Sequence, residues 1–282
     1  MAWAHIALLG MAGGAAGFVA GLIGLGGGIV FTPVLLLFYT QTGIDAVLAP
    51  KLTIGTSLLC TLIAALASAR YQLRAGAVQR RVALWVGGSS AVAVFLMTLL
   101  VTTRPWYDAT VFQLVFGTLL LVVVGRMMWR SAPSSDEGDA ADPDARSASW
   151  SLPGLFGTGS VAGAVSSAAG VGGGVVLVPA YNRLMRLPIH QSVGTSSATI
   201  VLISCAGIAS YALLGWGDDV PATAVGYVDV GRALLLALPA VFSARLGVWA
   251  AHKVARRPLQ LIFAVVAAFV ALRMLYGAVP GL

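Results

Sequence analysis

The chain has 282 residues, 59% of them hydrophobic and only 10% charged, with a mean hydropathy of +0.91. That composition excludes an ordinary soluble domain and describes a polytopic helical membrane protein. The net charge of +7 comes from basic residues spread over separate loops without an aromatic platform, so no nucleic-acid partner is expected.

The first segment, Trp3 to Tyr39, is almost continuously apolar, and a straight helix of that length would be far longer than the hydrocarbon core. It must turn, and the cluster Gly24-Leu25-Gly26-Gly27-Gly28 is the break, with Pro33 expected to limit the helix that follows. Ordinary spans follow at Leu52 to Ala69, Val82 to Val101 and Val111 to Trp129. The stretch 131–149 is an acidic, flexible hydrophilic linker. Leu152 to Tyr181 then repeats the broken segment around Gly170-Val171-Gly172-Gly173-Gly174, with Pro179 in the place of Pro33. Spans at Ser192 to Leu214, Arg232 to Ala251 and Leu259 to Tyr276 complete the chain. The amino terminus lacks the basic region of a signal peptide and has an equivalent in the second half, so it is expected to be retained.

The two halves match in three blocks. Besides the glycine motifs, Lys51 through Gly55-Thr56-Ser57 pairs with His190 through Gly194-Thr195-Ser196, and Gln113 with Arg126 pairs with Gln260 and Arg273. Composition alone does not preserve such residues in order, so the chain is a duplication: a first repeat over 1–130, the linker over 131–149 and a second repeat over 150–282. Equivalent loops differ in charge. Arg70, Arg74, Arg80 and Arg81 follow the second segment of the first half, whereas Asp218, Asp219 and Asp229 stand at the same place in the second. By the positive-inside pattern the repeats are inverted, each a glycine-broken helical hairpin followed by three transmembrane helices. The expected fold class is therefore all-α, polytopic and membrane-embedded, with the linker in the cytoplasm.

The pattern Gly17-x-x-x-Gly21-x-x-Gly24-x-Gly26-Gly27-Gly28 with Pro33, its repeat from Gly163 to Pro179, and the Gly-Thr-Ser after each resemble the sulfite exporter TauE/SafE family of membrane permeases. The resemblance covers essentially the whole chain. It implies a bacterial inner-membrane permease that exports a small sulfur-containing anion, sulfite or an organosulfonate such as sulfoacetate. Ser167 replaces the second repeat's counterpart of Gly21 and His190 that of Lys51, which makes the two half-sites chemically unequal.

Physical chemistry reaches an anion independently. A helix starting inside the membrane presents unpaired N–H groups and a positive dipole end, and glycine lets an oxyanion approach that backbone. The expected substrate-binding set is Gly26, Gly27, Gly28, Gly172, Gly173 and Gly174, with hydroxyls from Thr56, Ser57, Thr195 and Ser196. Lys51, His190 and Arg245 are the cations able to attract or touch the anion. Gly17, Gly21 and Gly163 have the spacing of helix-packing glycines, and Gln113 and Gln260 that of interhelical hydrogen bonders. No nucleotide-binding loop is present, and neither Cys60 nor Cys205 has a metal-ligand spacing. Neither a cofactor nor a catalytic residue is expected. The expected partners are a small anion and membrane lipid, and a homo-oligomer is compatible with the sequence. The rival readings are an intramembrane hydrolase using Ser57 or Ser196 with His190, and a non-transporting assembly factor; a flux assay separates both from a permease.

Overall fold

The computed structural model describes residues 9–18, 27–129, 152–253 and 256–278. Among them five helices precede the linker: α1 (Leu9–Phe18), α2 (Gly28–Gln41), α3 (Leu48–Arg74), α4 (Arg80–Thr103) and α5 (Ala109–Trp129). Five follow it: α6 (Leu152–Ala169), α7 (Gly174–Arg183), α8 (Ile189–Leu214), α9 (Val230–Lys253) and α10 (Arg256–Gly277). The class is all-α, as the sequence indicates, and α3, α4 and α8 are long and apolar enough to cross a membrane. The linker lies outside the described residues.

The helices on either side of the linker interlock. α3 and α8 run antiparallel through the centre, since Leu58 meets Gly207 at one end of their contact and Ser68 meets Ser197 at the other. α4 packs on α6 in the same direction: Gly159 lies against Ser89 and Gly163 against the Ser90 backbone. α9 does the same to α1, with Gly13 against Leu236 and Gly17 against Ala240. α5 and α10 are antiparallel, Gln113 lying by Gly277 and Gly117 by Ala271 and Leu275. Added Cβ atoms at Gly13, Gly17, Gly117, Gly159, Gly163 and Gly207 would lie 2.0–2.8 Å from neighbouring atoms, so the helices approach as closely as small residues permit, the driving force available where hydrophobic burial offers none. Gly17 and Gly163 thus have the packing role their spacing suggests, while Gly21 is outside the described residues.

Pro33 and Pro179 do not limit their helices as the sequence suggests; α2 continues to Gln41 and α7 to Arg183. Each proline stands in the second turn, so a single backbone bond, to the carbonyl of Ile29 or Val175, is lost next to a break that already leaves backbone unpaired.

A feature the sequence does not announce is a two-stranded hairpin between α8 and α9. Strand β1 (Ala224–Val225) pairs antiparallel with β2 (Val228–Asp229), Ala224 opposite Asp229, around Gly226 at φ +56. The hairpin closes one end of the α3–α8 pair: the Tyr227 N–H donates to the Tyr211 carbonyl, and Gly55 packs against the Tyr227 carbonyl.

The same antiparallel arrangement sorts the charges. Arg70, Arg74, Arg80, Arg81, Arg183, Arg186 and His190 gather at one end, where Gly194 packs on Ala77 and Gln79 reaches Gln191. Asp45, Asp108, Asp218, Asp219 and Asp229 gather at the other, with Lys51, Arg104 and Arg232. Cysteines replacing Ser68 and Ser197, whose hydroxyls are 3.0 Å apart, are expected to form a disulfide on mild oxidation in a protein with Cys60 and Cys205 removed, read as a shift in gel mobility after cleavage in the linker. A parallel α3–α8 pair would keep the two fragments apart.

Candidate functional site

The second break is built from its sequence step by step. α6 ends at Ala169; Gly170, Gly172 and Gly173 adopt φ of +68, +74 and +79, and α7 begins at Gly174. An L-residue pays about 1–2 kcal/mol for that left-handed conformation, so Gly172 and Gly173 are needed for their backbone as well as for space. Gly173 also lies against the Ala162 carbonyl and Ile203, and Gly172 against Thr61 and Ile200. Gly27 differs: its φ of −69 is ordinary, and its requirement is room, since a Cβ there would enter the Phe31 ring. Gly28 lies against the Val171 backbone, so the two broken segments meet. Gly26 is outside the described residues.

The two kinds of backbone group at this break fare differently. The carbonyls of Ser167, Ala168 and Gly170 are claimed by hydroxyls from four directions. Tyr107 donates to Ala168 and Tyr211 to Ser167, both at 2.7 Å, while Ser57 and Thr32 donate to Gly170. The N–H groups of Gly172, Gly173, Gly174 and Val175 have no acceptor among the described residues, since the first bonds of α7 run from Val176 and Leu177 to the Gly173 carbonyl. The carbonyls of Ala169, Val171 and Gly172 likewise have no donor among the described residues, so the break is buried and offers four N–H groups in a row to an acceptor. Burial also raises the Tyr107 hydroxyl above its ordinary pKa, keeping it protonated to donate.

Hydroxyls without partners surround this region. Thr53 and Thr61 on α3, Ser196 and Ser204 on α8 and Ser166 on α6 are buried, each with an unpaired oxygen. Unpaired buried polar groups are few in native structures and cost about 1–3 kcal/mol each. Thr61 touches Gly172 through its methyl group, and the α3–α8 register sets Ser204, next to Ile203, level with Thr61. These two missed residues stand at the centre of the interlocked helices. They escape a comparison of repeats because Thr61 matches Ile200 and Ser204 matches Ala65. The available signal is helical spacing: Thr61 follows Ser57 by one turn, and Ser204 follows Ser196 by two.

The four expected hydroxyls do not converge on one shell. Thr56 accepts the Asp229 N–H at 3.0 Å and pairs with the Tyr39 hydroxyl. Thr195 accepts the Gln79 N–H, also at 3.0 Å, at the basic end. The antiparallel register therefore sets Thr56 and Thr195 towards opposite ends, with Ser57 at the second break and Ser196 deeper on the other side. Lys51 donates to the Thr102 carbonyl and lies over the Tyr227 ring at the acidic end. His190 is exposed at the start of α8 and makes no bond with Ser196. The backbone of Arg245 belongs to α9, but its side chain is outside the described residues.

Two closures flank the centre. At the basic end the Gln79 amide donates to Gln191 at 3.1 Å. At the acidic end the corresponding position is ionic: Asp229, fully buried, pairs with Arg232, which is 23% exposed and lies 5.2 and 5.3 Å from the Phe38 and Tyr39 ring centres. Asp229 also accepts the Arg232 N–H and the Thr223 hydroxyl, capping α9 as its sequence position before an apolar run allows. Beside it Tyr227 donates to Asp218, and burial followed by that carboxylate raises the tyrosine's pKa.

Residues 9–274 match the family described as sulfite exporter TauE/SafE. The chain belongs to the TauE/SafE family. Among curated relatives it is 26% identical to a probable membrane transporter protein of Haemophilus influenzae, over 94% of this chain and 96% of that protein. A probable membrane transporter protein of Methanocaldococcus jannaschii is 26% identical over 92% and 91%, and one of Xylella fastidiosa is 31% identical over 80% and 82%. No solved structure matches significantly. This TauE/SafE protein is thus a membrane transporter, with family and apolar helices in agreement.

Replacing Thr61 by Val and Ser204 by Ala in this TauE/SafE protein removes hydroxyls that satisfy nothing in the fold. Thermal unfolding in detergent is expected to show unchanged or slightly raised stability, by up to about 1 kcal/mol per site. A loss of more than about 2 kcal/mol would mean that these hydroxyls have structural partners.

Proposed function

We propose that the protein is a permease of the bacterial inner membrane that exports a small sulfur-containing oxyanion, sulfite or an organosulfonate such as sulfoacetate, by alternating access, and that it is not an enzyme. The observation that carries this reading is the run of four open N–H groups, Gly172 to Val175, at the buried start of α7, beside carbonyls of Ser167, Ala168 and Gly170 already taken by hydroxyls. An oxyanion supplies several acceptors to such donors without placing a fixed charge in the membrane. Thr61 and Ser204 complete its shell from α3 and α8, and the backbone of the first break approaches at Gly28. The centre is occluded, with Gln79 and Gln191 on one side and Asp229, Arg232, Tyr39 and Thr56 on the other.

In this reading the interlocked five-helix sets are inverted repeats, and the site lies where they cross. The basic end faces the cytoplasm, in keeping with the positive-inside pattern, and it draws anions inward from that side. The acidic end faces outward and repels the anion once Arg232 and Asp229 part. The membrane potential favours the same direction by about 2.3 kcal/mol per charge per 100 mV, so no coupling ion is required for net efflux.

The test is flux of labelled sulfite, sulfoacetate, thiosulfate and sulfate in proteoliposomes. Saturable movement of a sulfur oxyanion is expected, abolished by Gly173→Leu and reduced roughly tenfold to hundredfold by Thr61→Val with Ser204→Ala, the cost of losing hydrogen bonds to a charged ligand. An outward-directed potential should accelerate efflux and an inverted one slow it. No movement of any anion by folded protein, with or without a potential or proton gradient, would overturn the exporter reading.

A further inference from the structure

A cavity of about 370 Å³ lies away from the glycine centre, between α2, α5 and α10. Its wall is apolar over most of its length, with Ile29, Val30 and Pro33 of α2, Leu120 of α5 and Val266 and Val270 of α10 among the lining residues. Polarity is confined to one end. Gln113 and Arg273 line the cavity, and Gln113 lies against Gly277, one turn beyond Arg273. Arg273 is the one charged residue in the lining, and it is exposed.

The direction of the cavity follows from the packing. The Ala109 N–H donates to the Ala46 carbonyl, so the start of α5 adjoins the end of α2, and the Gln113 end is the acidic end of the molecule. Leu120, Val266 and the start of α2 lie at the other end of the cavity, towards the middle of the bundle. The lining spans Val266 to Gly277 on α10, about 16 Å at helical rise, half of a hydrocarbon core of about 30 Å. One side adjoins the exposed Val265, Phe269, Leu272 and Tyr276, a surface a membrane protein turns to lipid.

A slot one leaflet deep, apolar below and cationic at its interfacial end, has the shape and charge order of a single anionic phospholipid. We infer that this cavity is a binding site for an anionic phospholipid of the leaflet at the acidic end, its headgroup on Arg273 and Gln113 and an acyl chain against α2, α5 and α10. The chain's tip reaches Ile29 and Val30, the first residues after Gly28. The lipid therefore braces the helix that starts at the first glycine break.

The test is lipid retention, a readout independent of transport. Protein extracted from membranes of mixed phosphatidylglycerol and phosphatidylcholine is delipidated stepwise and weighed by native mass spectrometry, beside Arg273→Gln and Val266→Trp. Both positions are exposed, and helical circular dichroism verifies that each variant is folded. Wild-type protein is expected to keep one phosphatidylglycerol in preference to phosphatidylcholine by about fivefold, the contribution of one cation at a membrane surface. Arg273→Gln should keep a lipid without that preference, and Val266→Trp, which fills the slot, should keep none. Equal retention by all three proteins, or occupancy of the face by a second copy with no lipid bound, would overturn the site.

Discussion

Backbone hydrogen bonding in a medium without water is the constraint on which this structure depends. Within hydrocarbon every N–H and C=O needs an internal partner, and an interrupted helix is tolerated only where the protein supplies substitutes. At the second break the substitutes are supplied only in part. Tyr107, Tyr211, Ser57 and Thr32 take the carbonyls of Ala168, Ser167 and Gly170, and nothing among the described residues pairs the N–H groups of Gly172 to Val175 or the carbonyls of Ala169, Val171 and Gly172. The buried tyrosines, the packed glycines of α6 and the course of α3 beside Gly170 all follow from holding that unequal arrangement.

Much of this was legible in the sequence. Consecutive glycines in a segment too long to cross straight located the break at 170–174, and the family resemblance is matched along residues 9–274. Alternating loop charge agrees with the sorting of Arg70, Arg74, Arg183 and Arg186 to one end. The site was less legible because matching the two halves in sequence is a poor guide to which side chains the fold brings together. Thr56 and Thr195 are matched in sequence, and the antiparallel register of α3 and α8 carries them to opposite ends. Thr61 and Ser204 stand level near the centre, and neither hydroxyl recurs at the matching position of the other half. Asp229 reads as a loop acid; its burial depends on a hairpin whose strands are two residues long, too short for periodicity to reveal.

The two closures show how one plan acquires unequal ends. Thr56 and Thr195 each accept a backbone N–H from the segment beyond the other central helix. At one end that segment supplies Gln79 and a neutral amide bond; at the other it supplies Asp229 with Arg232. A buried ionic pair is costly to separate once formed, whereas an amide pair exchanges readily for water. The two ends are therefore held by bonds of unequal strength.

The carbonyl clamps at the second break also bear on movement. Four hydroxyls, carried on α2, on α3, on the loop before α5 and on α8, hold the last backbone of α6 at one spot. Should one of those elements shift alone, it would strand a carbonyl in a low-dielectric interior. The four elements are thereby tied to one another through a single stretch of backbone, so a displacement of any one of them carries a cost that the other three share.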